Sequence, residues 1–474
     1  MQDKIYYFAT FNLQALLSLA EQRRGQPCTC DITQMPKCGS LNWVIFICFP
    51  DGVEWAFRSP KSGVDSLYSD ETASRILVSE ASTLLYLKAN TSIPVPQVFS
   101  YSGSKNTDIG IPYILQSKAT GRSLGSYAWS PPRHRFDKIG SLFQDGDSGY
   151  AVGECLSPSL TWQDRDSLEL DRGPFKTEHD YFVSLVSAFT SHAKELSLTP
   201  HVFFAPVPDM GDYESLSSYQ KASRRWSDFV AIGQKIEHSK NILFYCIVGQ
   251  FLSEMIPDLA SNAANGFTIS HPDLHIGNIY VDENFNITSI IDWSSASIGP
   301  VSETLAAPPL GSSAVSPYGF LYHAYRASFI REAIKTGQEV PNVSLWKTSE
   351  RMWYFSRLTR LLSKNDHQLF ERLFRLTFGM DACMGREKEI LWLFDERAIR
   401  KENVKLLAIL QEDDLSTEEL LEKERACFPP KRTVNKDSIA VARKLTLMSE
   451  MNPLFLADHR LWKWIDKCLE HNEL

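Results

Sequence analysis

The sequence predicts an α+β chain with a small β-rich N-terminal part and a large, mainly helical C-terminal part. Period-two apolar runs cluster within the first 118 residues, and helical spacing dominates after residue 178. The composition bounds this reading: 474 residues, 43% hydrophobic and 22% charged, can bury a sizeable core in two or three compact units. With Gly 24 and Pro 24, a collagen-like or low-complexity chain is excluded.

Taken in order, Asn12 caps a helix in which Leu13, Leu16 and Leu17 recur. Asn12 and Gln14 interrupt the apolar stretch from Ile5, and no small-residue cleavage site follows, so a signal peptide is not expected. Ahead of the hairpin described next, Asp31 to Met35 suits a third strand, with Lys37-Cys38-Gly39-Ser40 as the turn between strands. Trp43 to Phe49, the turn Asp51-Gly52 and the alternation from Val53 to Arg58 predict a β-hairpin. Residues 72–89 predict a helix whose apolar stripe of Ile76, Leu77, Leu84 and Leu87 is broken by Glu80, an inward carboxylate in need of a partner. Ile93-Pro94-Val95-Pro96 stops that helix, and 97–101 and 113–117 read as short strands.

Residues 130–173 have little periodicity and many Pro, Gly, Asp and Ser, which suits a functional lid or an insertion. Helices are expected at 178–196, 214–236, 240–256, 316–336, 346–362, 366–378 and 386–400, and one opening on the capping box Ser416-x-x-Glu419. Trp353, Phe370 and Phe374 sit at helical spacing and are expected in the core. No apolar run reaches about 18 residues, so no membrane span and no membrane partner are expected. The balance of 49 basic against 57 acidic residues repels phosphate backbones and argues against nucleic acid as a partner. Phosphates must then be held locally, by a few aimed groups or a metal. Nine cysteines without paired C-x-x-C units read as free thiols in a reducing compartment, the cytoplasm.

The chemistry concentrates in residues 267–293. A short strand delivers His271-Pro272-Asp273, Asn278 stands five residues on, and strand, turn (Asp282-Glu283-Asn284) and strand lead to Asp292. A hairpin brings its ends together, so Asn278 and Asp292 face one small volume as hard oxygen ligands of the kind Mg²⁺ takes. Asp273 in the adjoining loop is placed to orient a hydroxyl or accept its proton.

The segment HPDLHIGNI followed by IIDW resembles the catalytic core of the aminoglycoside phosphotransferase family, a branch of the protein-kinase-like fold. The likeness extends to SEASTLLYLKANTSIPVPQVFSY, similar to an N-lobe helix and strand, and to YILQSKATGRSL, similar to a hinge. The patch from IGSLFQDGD to DRGPFKTEHDYF is similar to an insertion of the large fungal branch. The resemblance implies a bilobal protein-kinase-like fold, with an N-lobe over 1–120 and a helical C-lobe over 121–474 carrying the catalytic loop at 267–293. It implies an ATP- and Mg²⁺-dependent kinase acting on the alcohol group of a small-molecule acceptor. By the same resemblance Asp273 is the catalytic base, Asn278 and Asp292 hold Mg²⁺, and His271 braces the loop. The backbone near Ser117 to Ala119 meets adenine, and Gly39 and Ser40 form the tip of the phosphate-covering turn. Arg58 stands where the family carries Lys, paired with Glu80; Lys37 and Lys61 are possible substitutes, and His275 packs or caps the loop.

Two departures keep an alternative open, a catalytically silent kinase-like protein that binds nucleotide or a partner. The covering turn has one glycine rather than three, and Arg forks onto carboxylates where Lys is a point charge. The absence of Ala-Pro-Glu after Asp292 speaks against a protein kinase. Carboxylates such as Glu303 and Asp381 suggest acidic walls and a cationic or polyhydroxylated acceptor.

Overall fold

The fold was analysed in a computed structural model of the whole chain. It describes residues 4–196 apart from 40, 63–67, 124–134, 147–148 and 163; residues 215–217 and 220; and residues 239–414 apart from 261–265, 275, 307–319, 338–339, 361–365, 379–386 and 413. Ser40, His275, Asp381, most of 214–236 and the capping box at 416–419 lie outside the described residues. The chain forms two compact units, one of residues 1–188 and 255–360, the other of 189–254 and 361–474. The lobe boundary expected near residue 120 falls inside the first unit.

The first unit opens with α1 (Leu13–Arg24), capped by the Asn12 side chain, which accepts from the Ala15 N–H at 3.1 Å. A five-stranded antiparallel sheet follows, in the order β1-β2-β3-β5-β4. Its strands are β1 (Lys37–Cys38), β2 (Asn42–Cys48), β3 (Glu54–Pro60), β4 (Val98–Ser102) and β5 (Tyr113–Ser117). Alternation along β2 sends Trp43, Ile45 and Ile47 into a core shared with Phe11, Leu16, Trp55, Phe57 and Leu115. Between β3 and β4 runs α2 (Asp70–Asn90), capped by Ser69.

One strand expectation fails. Asp31 to Met35 is a turn, and Lys37-Cys38, expected in the turn, is the edge strand. The Gln34 side chain does the pairing instead: its Oε1 accepts from the Phe46 N–H at 2.9 Å and its Nε2 donates to the Phe46 carbonyl at 3.0 Å. A primary amide presents the same donor and acceptor as a peptide group, so one side chain closes the sheet edge that a strand would have closed.

The segment expected as a lid or insertion is folded. It carries a hairpin of β7 (Leu142–Asp145) and β8 (Gly149–Val152) after the short strand β6 (Arg122–Ser123), then the one-turn helix α3 (Pro158–Thr161). The hairpin packs on α2: the Gln144 N–H donates to Ser82 Oγ at 3.0 Å, and the Tyr86 and Tyr150 rings meet edge-on at 5.2 Å. Bridges from Phe136 to Phe267 and from Gly140 to Ile298 tie the same segment to β9 (Thr268–Ser270) and β12 (Ser297–Gly299). The hairpin β10 (Ile279–Val281) and β11 (Ile287–Ile290) pairs in turn with β6. The first unit ends with α4 (Glu178–Glu195) in part, and with the helices Phe320–Lys335 and Val343–Arg360.

The second unit is helical in its described residues. Phe251 is surrounded by Phe370, Phe374 and Phe394 at 5.4–5.6 Å between ring centroids. Phe370 and Phe374 are core residues as expected, as is Trp353 in the first unit. The helix Ser239–Leu259 is, by length and composition, apolar enough to cross a membrane, against the expectation that no stretch reaches that length. Of its most apolar window 61% is buried inside the protein, which a core helix also satisfies.

Candidate active site

Arg58 lies mid-strand on β3 and Glu80 lies mid-helix on α2, and both side chains are buried, at 8% and 2% exposure. Glu80 has the partner its position demanded: Arg58 Nη1 pairs with Glu80 Oε1. The other arm of the guanidinium reaches across to Asp292 Oδ1 at 2.6 Å and Ser294 Oγ at 3.0 Å. Ser294 closes the ring by donating to Glu80 Oε2 at 2.8 Å. The planar fork of Arg makes this double engagement possible where an ammonium would supply a single point.

One cation thus faces two carboxylates. Burial, with Asp292 nearby, pushes the Glu80 carboxyl up. Burial also raises Asp292, but the Arg58 guanidinium outweighs it and holds that carboxyl below its ordinary value. The Asp292 side chain is 40% exposed, so the excess negative charge sits on the more accessible carboxylate. Asp292 adopts φ +64°, a left-handed turn of the backbone just after β11, and this turns the chain from the sheet toward Arg58.

The hairpin register places Asn278, expected with Asp292 as a ligand. Ile279 pairs with Ile290, and the Ile291 N–H donates to the Asn278 carbonyl at 2.9 Å, so Asn278 and Asp292 stand one register step apart. Asn278 is buried, and its Nδ2 donates to the Asp273 carbonyl at 2.9 Å. That bond directs the amide so that Oδ1 is the atom left to act as a ligand. Asp273 itself is exposed. Its N–H donates to His271 Nδ1 at 3.2 Å, which requires that nitrogen to be unprotonated. The proton is therefore on Nε2, which donates to the Ile291 carbonyl at 3.0 Å. Both ring nitrogens are engaged by backbone, and the ring packs edge-on to Trp293 at 4.6 Å, so His271 braces the loop.

The sheet edge and hinge belong to the same region. Asn42↔Pro60 and Val44↔Arg58 pairing puts the turn after Gly39 at the Arg58 end of the sheet, and Asn42 Nδ2 reaches Ser294 Oγ at 3.4 Å. The Gly39 N–H donates to the Asn42 carbonyl at 2.9 Å, a tight turn. In the hinge, the Ser117 and Lys118 N–H groups donate to the Gln97 and Glu54 carbonyls at 2.8 and 3.4 Å. No hydrogen bond engages the Ala119 N–H among the described residues. Thr288 Oγ1 donates to the Thr120 carbonyl at 2.5 Å, stitching the hinge to β11. Gly121, at φ +91°, passes so close to β10 that a Cβ there would lie 2.2 Å from the Val281 carbonyl oxygen.

Arg58, Glu80, Asn278, Asp273 and Asp292 are thus brought together in the first unit, and Lys37 and Lys61 are not part of the ring. Lys37 and Lys61 lie over the rings of Phe46 and Phe8, at 5.3 and 5.6 Å. Ser294 was missed by sequence reasoning; its nearness to Asp292 was the available signal, but a serine two residues past a carboxylate is too common to read. Glu303 is held by protein groups: its Oε2 accepts from the Tyr181 hydroxyl at 3.5 Å, and burial pushes its carboxyl up to about 7 although that hydroxyl and the charge of Arg360 act the other way. Among the described residues no three His, Cys, Asp or Glu side chains form a metal-binding group. A divalent ion here would take two protein oxygens, from Asn278 and Asp292, and its remaining ligands from water and substrate, which suits Mg²⁺.

No protein-family model matches the chain. Subtelomeric hrmA-associated cluster proteins from two strains of Aspergillus fumigatus are 24% identical to it over 258 residues, 47% of this chain and 50% of theirs. The match therefore spans about half the length of those curated relatives. Among solved structures the chain is similar to a fructosamine-3-kinase from Thermobifida fusca (12% identity, 78% of this chain and 100% of that one, TM-score 0.37). It is also similar to a macrolide 2'-phosphotransferase type I (13%, 78% and 97%, TM-score 0.30). A third similarity is to an aminoglycoside phosphotransferase solved with GDP and kanamycin (14%, 78% and 98%, TM-score 0.31). At these identities and TM-scores the likenesses decide nothing about activity or acceptor.

Proposed function

We propose that this protein is an ATP- and Mg²⁺-dependent phosphotransferase that acts on a hydroxyl group of a small molecule. The observation that carries the reading is the Arg58 bridge between Glu80 and Asp292, with Asn278 one register step away and Asp273 at the end of the Asn278 amide bond. Arg58, held by two carboxylates and a hydroxyl, is a fixed cation on the floor of the phosphate site. Asn278 and Asp292 hold the metal, which offsets charge on the transferring phosphoryl group. Asp273, exposed in a loop braced by His271 and Asn278, orients the acceptor hydroxyl and takes its proton. The Ala119 N–H, without a backbone partner among the described residues, suits the adenine edge, and the turn after Gly39 covers the phosphates.

The test is ADP release from ATP with Mg²⁺ across a panel of hydroxylated metabolites, for the wild type and Asp273→Asn. Acceptor-dependent release in the wild type, reduced about 10²-fold or more in the variant, is expected. Full activity in the variant overturns the assignment. The silent alternative is favoured by one feature, that Glu80, Asp292 and Ser294 together engage both terminal nitrogens of Arg58. It predicts no thermal stabilisation by millimolar ATP with Mg²⁺.

A further inference from the structure

On the helix Val343–Arg360, Arg357 and Arg360 stand three residues apart and so share one face. Arg360 Nη1 donates to the Pro272 carbonyl at 3.2 Å, the residue before Asp273, and its guanidinium lies 5.6 Å from the Trp162 ring centroid. Arg357 lies 4.1 Å over the Trp353 ring. It makes no hydrogen bond and no ion pair among the described residues. Burial, and next the charge of Arg360, push the Arg357 guanidinium below its ordinary value. A half-buried cation beside a second cation is costly unless an anion joins it. The other buried arginines have partners: Arg58 has two carboxylates, Arg165 the Ser159 and Thr359 carbonyls, and Arg397 has Glu254.

We infer that Arg357, with Arg360 beside it, receives an oxyanion of the acceptor, so that the substrate is a hydroxyl compound bearing a carboxylate or a phosphate ester. The inference rests on the phosphotransferase reading for the word acceptor, and reverses the cationic acceptor suggested by acidic walls. Arg360 links the two ends of the site, touching the loop of Asp273 with its guanidinium while one helical turn away Arg357 holds the anion. The Trp353 face keeps the Arg357 fork flat and in place. The oxyanion and the phosphorylated hydroxyl then lie a helical turn or so apart, about 5 Å.

The experiment measures binding and turnover separately. Gluconate and inorganic phosphate are titrated into the wild type, Arg357→Gln and Asp273→Asn, with saturating ADP and Mg²⁺ present. Expected are binding of at least one probe by the wild type and by Asp273→Asn, and about a tenfold or greater rise in Kd in Arg357→Gln. The unliganded Tm of Arg357→Gln should stay close to that of the wild type, because among the described residues no hydrogen bond or ion pair is lost and only the contact with the Trp353 ring changes. Binding of gluconate alone names a carboxylate, and of phosphate alone a phosphate ester. Equal binding by Arg357→Gln, or none by the wild type, overturns the inference. So does displacement of the probe by ADP, which would assign the arginines to the nucleotide. ADP release with amino sugars but not with sugar acids or sugar phosphates overturns it while leaving the phosphotransferase standing. Anion binding without nucleotide binding does the reverse.

Discussion

Arg58 decides more than any other single residue. Removing it leaves Glu80 inside the protein with, among the described residues, the Ser294 hydroxyl as its hydrogen-bond partner. Arg58→Met should therefore lower unfolding free energy by about 3–5 kcal/mol, read by urea denaturation, because a buried carboxylate is left uncompensated. The double variant Arg58→Met/Glu80→Leu should recover most of that stability without recovering ATP turnover. Glu303 supplies a pH signature of a different kind. Its folded-state value of about 7 lies above the ordinary 4.5, so the native state holds this proton more tightly than the unfolded chain. The stabilisation is complete below about 4.5 and is lost as pH rises through about 7. Glu303→Gln cannot ionise, so its Tm should gain on that of the wild type between pH 5 and pH 8; parallel Tm curves would count against the shift.

Among the elements, the hairpin β7–β8 acts on α2. Its contacts with α2 include the Gln144–Ser82 bond and an ion pair between Glu154 and Arg75. Ser82 is fully buried and also donates to the Val78 carbonyl at 2.9 Å. Ser82→Ala leaves the Gln144 N–H without its acceptor and should cost about 1–3 kcal/mol in chemical denaturation. Because α2 carries Glu80, the proposed function expects weaker ATP binding in the same variant; an unchanged nucleotide Kd would mean that α2 holds its place without the hairpin. This segment was illegible in the sequence as structure because its two strands are only four residues each and are closed by Asp145-Gly146 and Gly149. The β2–β3 hairpin was legible because seven-residue strands carry the alternation several times.

For the molecule as a whole, the metal reading separates folding from activity. The described residues assemble no three-ligand cluster, so EDTA should abolish ADP release while shifting Tm by less than about 1 °C. A large loss of Tm would reveal a structural ion. The net charge of -8 is compatible with the proposed phosphate handling, because it asks for only a few aimed cations: Arg58 beside Asp292, and Arg360 on the Asp273 loop with Arg357 near it. Much of the candidate site could be read from the chain alone. His271, Asp273, Asn278 and Asp292 lie within a stretch of 22 residues, and short range fixes their geometry through one hairpin. Glu80 announced itself as a carboxylate in an apolar stripe.

The sequence by itself determined the β2–β3 hairpin, α2, the helical character after residue 178 and the identity of the loop residues, because these follow from local periodicity and from turns a few residues long. Only the tertiary structure decided that Arg58 divides itself between Glu80 and Asp292, which are 22 and 234 residues away from it. It alone placed Gln34 as a substitute strand, set the insertion against α2 and laid Arg357 over the Trp353 ring with no hydrogen bond or ion pair among the described residues. The physical reason is the same throughout. Alternation and capping are written in neighbouring side chains, whereas the partner of a buried charge is chosen by which distant backbone arrives beside it, and a sequence read locally carries no distance between such positions.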